Sequence, residues 1–162
     1  VPAGHASQDT VRADDRSALI RMLPLVLCHL GSEVELVAKA VRLSSIKTAH
    51  RFAKTASVMY ALWARAELDA KPAPWTYAEA RLRELGPMAG LATADIEQVL
   101  DREHGTYASG SSDVIDSLWS ARVAMNETDS YTDAMRRAIA FGGDTDLTAA
   151  VTGGIAGLRY GM

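Results

Sequence analysis

One pair of carboxylates in this sequence has a spacing that could do chemistry. Asp144 and Asp146 flank Thr145 directly after Gly142 and Gly143, in "FGGDTDLTAAVTGGIAGLRYG" (141–161). Carboxylates one residue apart in a turn can direct oxygens to one point, and hard cations such as Mg2+ or Mn2+ take oxygen clusters of that kind. The pair alone supplies too few ligands for a complete metal site. Its position also offers a plainer role. The unsatisfied N–H groups and positive dipole end of a helix favour negative charge. Asp146 then reads as an N-cap and Asp144 as a solvated turn residue, after a preceding helix closed by the two glycines. Behind the pair come Ala149, Ala150, Gly153, Gly154, Ala156 and Gly157. Glycine costs a helix interior about 1 kcal/mol relative to alanine, so this run is expected to mark close approach of neighbouring backbones.

No other constellation competes. His5, His29 and His104 are dispersed, without the spacing of a zinc site. None of the serines sits in a strand-turn-helix nucleophile elbow. Trp63, Trp75 and Trp119 read as core or rim packing. Asp101–Glu103 reads as a solvated helix end before Gly105. Cys28 is the only cysteine and lies in the apolar run "LPLVLCHLG". It is expected to be a small buried hydrophobe, and a lone thiol points to a reducing, cytoplasmic compartment.

The elements that must position the acidic pair are helices. Ser32 with Glu35, and Thr76 with Glu79, form candidate capping boxes. Thr93 is a candidate cap for a helix ending at Gly105, and Ser130 for one ending at Gly142. Reading between such marks predicts about eight helices, over 17–30, 33–43, 48–69, 77–85, 94–104, 113–126, 131–141 and 146–160. In the third, Phe52, Ala53, Ala56, Met59, Tyr60, Trp63 and Ala64 recur at three- and four-residue spacings, the mark of a buried face. Strand and hairpin signals are nearly absent, so the chain reads as all-α. Residues 1–16 lack a helical stripe and read as a loop or partly disordered lead-in to one helical domain over 17–162.

The totals agree with a single globular domain. The chain has 162 residues, 48% hydrophobic and 23% charged, with a net charge of -3. Scattered basic residues argue against a nucleic-acid surface. Leu23–Leu30, interrupted by Pro24 and His29, is too short to span a bilayer.

The carboxy-terminal stretch resembles the closing signature of the ADP-ribosylglycohydrolase family, of the form G-G-D-T-D-T-x-A-A-x-x-G-x-x-x-G-x-x-Y-G. It matches at Gly142, Gly143, Asp144, Thr145, Asp146, Ala149, Ala150, Gly153, Gly157, Tyr160 and Gly161. Three further stretches resemble family segments in the family's order: "SALIRMLPLVL" (17–27), "SSIKTAHRFA" (44–53) and "SGSSDVIDSLWSARVAM" (109–125). The resemblance covers residues 17–162 and corresponds to the second half of the family domain. It implies a compact multi-helix fold and hydrolysis of the bond joining ADP-ribose to a protein side chain or a small conjugate, with two divalent ions orienting the ribose. Carried over by position, Asp144 and Asp146 would be ligands of Mg2+ or Mn2+. Gly143 would let ligand and metal approach the backbone, and Gly110, Ser111 and Ser112 would line the ADP-ribose cleft. His50 would be a substrate contact.

The departures from the pattern are as informative. Leu147 stands where relatives place a metal-binding threonine, with Thr148 one residue on. Asp15, Arg16 and Ser17 replace a G-N-G approach to the pyrophosphate, for which Arg16 could substitute as a charged contact. Thr48 stands where relatives have the first histidine of their T-H-x-H segment. The family's other acidic cluster and its acid/base carboxylate belong to the half that this stretch does not resemble. A complementary amino-terminal segment or subunit is therefore an expected partner. Two other readings stay open: a catalytically degenerate ADP-ribose-binding or structural relic, and a plain helical interaction module.

Overall fold

A computed structural model describes residues 17–46 and 49–161. The expectations for 1–16, for Asp15 and Arg16, and for Thr48 lie outside the described residues. Among those described, every regular element is helical: α1 (Met22–Cys28), α2 (Glu33–Ser45), α3 (Arg51–Leu68), α4 (Pro74–Leu85), a 3-10 turn (Pro87–Ala89), α5 (Thr93–Val99), α6 (Glu103–Thr106), α7 (Val114–Asn126), α8 (Tyr131–Ala140) and α9 (Thr145–Tyr160). No helix of the described residues is long and apolar enough to cross a membrane.

The local chemistry accounts for most boundaries and for the differences from the expected ones. Ser32 and Glu35 form the reciprocal capping box that opens α2. Ser130 Oγ accepts the Asp133 N–H at 3.1 Å and opens α8. The expected helix over 17–30 is interrupted at Arg21. Pro24 lacks the N–H that would bond back to Ile20, so the helix restarts at Met22. Thr76 and Glu79 form no capping box. Instead α4 starts earlier, with Pro74 in its first turn, and Glu79 is drawn inward to accept the Trp75 Nε1–H at 2.6 Å. Thr93 lies inside α5 and caps nothing, and the expected 94–104 helix breaks after Val99 into α5 and the short α6. Asp101 Oδ1 caps Glu103 N at 3.0 Å, so the exposed Asp101–Glu103 stretch opens α6 rather than ending a helix.

Helix α3 is the axis of the domain. Its whole middle, from Ala53 through Ala64, is buried apart from Lys54, and α1, α2, α4, α5, α7 and α9 all pack against it. Around it the three tryptophans form an edge-to-face ladder. The Trp63 and Trp75 rings are 4.9 Å apart, and those of Trp75 and Trp119 5.0 Å. Each indole N–H has an acceptor: Glu67 for Trp63, Glu79 for Trp75 and the Val99 carbonyl for Trp119. The tryptophans are packing groups, as expected. Cys28 is not. It is exposed at the end of α1, because the buried stripe of that helix runs through Met22 and Val26 and leaves Leu27 and Cys28 outside.

The small residues of α9 serve close packing at some positions only. A Cβ at Gly154 would lie 2.4 Å from Tyr60 Oη and 3.0 Å from Leu23, and one at Gly153 would lie 3.1 Å from Met135 Sδ. At Gly157 it would meet nothing within 4 Å. Tyr60 donates its hydroxyl to the Val151 carbonyl at 3.2 Å, which ties α9 to the central helix, and burial raises its phenol pKa well above the usual value. The acidic turn therefore stands on a helix fixed to the core.

Candidate functional site

The site is a junction of two loops, one before α7 and one before α9. The first, residues 109–113, is held by side chains of α7. Asp116 accepts the backbone N–H groups of Ser109 at 2.9 Å and Ser111 at 2.5 Å. Ser120 Oγ accepts the Gly110 N–H at 3.0 Å, and Ser117 donates to the Ser111 carbonyl at 3.1 Å. Asp113 caps α7 through the N–H groups of Ile115 and Asp116. A loop with its amides so satisfied is ordered without needing a ligand.

The second loop leaves α8 through Gly142 and Gly143, both at positive φ (77° and 62°). The two loops meet where the Asp144 N–H donates to the Gly110 carbonyl at 2.8 Å. The fit is tight: a Cβ on Gly143 would lie 2.5 Å from the Gly110 oxygen, and one on Gly110 would lie 2.7 Å from Phe141 Cβ. Gly110 is itself at φ 69°. These glycines are needed for loop-on-loop contact.

The result is an open cleft of about 530 Å³ lined by Ser111, Ser112, Gly143, Asp144, Thr145 and Asp146. The structure thus brings together Ser111, Ser112, Gly143, Asp144 and Asp146, with Gly110 buried directly behind them. His50 stands elsewhere. It occupies the N-cap position of α3, exposed, with its ring 5.6 Å from that of Phe52, and it does not line this cleft. The roles of the two aspartates as caps are the reverse of the plain expectation. Asp144 is the N-cap, with Oδ1 accepting the Leu147 N–H at 3.3 Å, and Asp146 is the exposed acid of the first turn. Both carboxylates lie at the N-terminus of α9.

The sequence reading missed Thr145, whose side chain adds a hydroxyl to the lining, and the anchors Asp116 and Ser120. A signal was available for Asp116. It follows the cap Asp113 by three residues, where an acidic side chain can reach back to the loop that precedes its helix.

The lining chemistry suits a hard cation: carboxylates and hydroxyls, with no nitrogen or sulfur side-chain donor among the described residues of the cleft. The number of carboxylates is small. Among the described residues no group of three or more His, Cys, Asp or Glu is placed to hold a metal, so the pair fits as part of a metal site rather than as a whole one. Leu147 adds no ligand. Its side chain is 4% exposed and belongs to the core. Thr148, one residue on, is fully buried and does not line the cleft. Restoring the family's threonine by Leu147→Thr should therefore cost about 2 kcal/mol of stability, through lost apolar burial and a hydroxyl in the core. Urea unfolding measures it, and a loss below about 0.5 kcal/mol would show that position 147 does not need its apolar side chain.

The chain belongs to the ADP-ribosylglycohydrolase family, a family of hydrolases: the family's model matches residues 2–162. No curated protein and no solved structure matches the chain.

Proposed function

We propose that the cleft between the 109–113 and 142–146 loops is the carboxy-terminal part of a Mg2+- or Mn2+-dependent site that releases ADP-ribose from a modified protein side chain or a small conjugate. One observation supports it above the others: the family's acidic signature and the 110–112 loop, far apart in sequence, meet in one pinned concavity. Asp144 and Asp146 would hold the cation, which when bound orients the ribose and stabilises charge developing at its anomeric carbon. Ser111, Ser112 and Thr145 offer hydroxyls to ribose or phosphate oxygens, and Gly143, by seating against Gly110, holds the acidic turn beside them. The remaining carboxylates and the acid/base group come, on this reading, from a complementary amino-terminal segment or subunit. His50 would reach substrate only through such a partner. The free, exposed Cys28 is in keeping with a reducing, cytoplasmic setting.

Metal response tests the reading. Mg2+ at about a hundredfold excess over its dissociation constant should stabilise the chain by about 2.7 kcal/mol, read as a rise in Tm. Asp144→Asn combined with Asp146→Asn should abolish that rise. Its persistence in the double variant would leave the pair as a capped turn without metal function.

A further inference from the structure

A second concavity, of about 350 Å³, lies away from the acidic cleft, among α4, α6 and α7. Its character is opposite. The indoles of Trp75 and Trp119 contribute to its wall, and Arg102 and Arg122 line it with them. The Arg122 guanidinium sits 5.3 Å over the Trp75 ring, which occupies a face of the cation and leaves its in-plane N–H groups to be satisfied. Among the described residues a single hydrogen bond, to Asn126 Oδ1, meets that need. Arg102 is exposed, and its guanidinium has neither a hydrogen bond nor an ion pair among the described residues.

Among the described residues no carboxylate is paired with either guanidinium. Glu79 is the only carboxylate among the described residues that line the cleft, and its Oε1 accepts the Trp75 indole N–H. Glu67 is engaged by Arg159 and Trp63. Arg122 is held below the ordinary guanidinium range by burial first, then by the charge of Arg159, with Arg102 adding in the same direction against Glu79 and Glu67. Two guanidinium groups with unmet donors share one half-enclosed space beside aromatic edges, and the volume is that of a small-molecule site.

We propose that this cleft binds a small organic oxyanion, its carboxylate or phosphate group gripped by Arg102 and Arg122 and its body against Trp75 and Trp119. Planar guanidinium donors match either group in bidentate fashion, and Thr76 and Thr106 supply hydroxyls at the rim. The site is independent of the metal cleft, so the proposal does not rest on the glycohydrolase reading.

The test uses the indole N–H resonances of Trp75 and Trp119 in the full chain, titrated with citrate and with inorganic phosphate at constant ionic strength. Saturable shifts are expected, with a dissociation constant of about 1 mM or tighter for at least one probe. Saturation by citrate alone assigns a carboxylate ligand and by phosphate alone a phosphate; either result upholds the site. Arg102→Gln removes no side-chain hydrogen bond or ion pair seen among the described residues and should leave the Tm unchanged while weakening binding by about tenfold or more. Arg102→Lys should recover part of the loss, and Asp144→Asn with Asp146→Asn should change nothing. Shifts that never saturate, or an affinity unaltered by Arg102→Gln, would overturn the proposal.

Discussion

Gly143→Ala is expected to break the acidic cleft, with a loss of about 3 kcal/mol in stability and of any Mg2+ response. Two costs combine. An L-residue at φ 62° loses about 1–2 kcal/mol against glycine. The added Cβ also falls 2.5 Å from the Gly110 oxygen and 3.1 Å from its carbonyl carbon. Both are backbone atoms of a loop pinned by Asp116 and Ser120, so no flexible side chain can give way, and overpacking of this kind costs about 1–3 kcal/mol. Relief requires the loops to part, which breaks the Asp144 N–H bond to Gly110 and displaces both carboxylates from Ser111 and Ser112. Gly142→Ala is the control. It has the same kind of backbone, φ 77°, but its Cβ would meet nothing within 4 Å. It should pay only the backbone term and keep its metal response. Equal behaviour of the two variants in urea unfolding and Mg2+ titration would contradict the loop-on-loop account.

The second large effect is at Glu67, which joins the central helix α3 to the last helix, α9. Its side chain is 4% exposed, against 26% for Arg159. Its carboxylate accepts two guanidinium N–H bonds from Arg159, at 2.5 and 3.1 Å, and the Trp63 indole N–H at 2.9 Å. Burial alone would lower the Arg159 pKa, but the hydrogen bonds to Glu67 and Tyr160, with the Glu67 charge, raise it. Glu67→Ala strands a partly buried cation and a buried indole donor, and should cost about 3–5 kcal/mol. Glu67→Gln keeps an acceptor for Trp63 and should lose only about 1–2 kcal/mol. Urea unfolding with an unchanged m-value separates the two. If Glu67→Ala lost no more than Glu67→Gln, the acceptor kept for the Trp63 indole would contribute nothing, and the whole effect of Glu67 would lie in its charge.

What could be read in advance follows the range of the interactions concerned. Local signals held: the Ser32–Glu35 box, the Ser130 cap and the apolar face of α3 each depend on residues within one or two turns of each other. The Thr76–Glu79 box failed because Trp75 made a better claim on Glu79. That claim was visible as spacing, since Trp63–Glu67 and Trp75–Glu79 repeat the same four-residue interval on which helical side chains meet. Cys28 was misplaced because the apolar run around it hides which face is buried, a choice made by packing on α3. In the site, the residue types and the acidic turn were legible, and the contact of Gly110 with Gly143 and Asp144 was not. It joins segments separated by two helices, and no local periodicity encodes it.

The central claim is that the acidic turn and the 110–112 loop together form a metal-dependent site for ADP-ribose. Calorimetric titration of ADP-ribose into the chain, with and without Mg2+, tests it most directly. The account predicts saturable heat with Mg2+ that disappears with chelator and in the Asp144→Asn, Asp146→Asn double variant. Binding that is indifferent to Mg2+ and to both aspartates would contradict it.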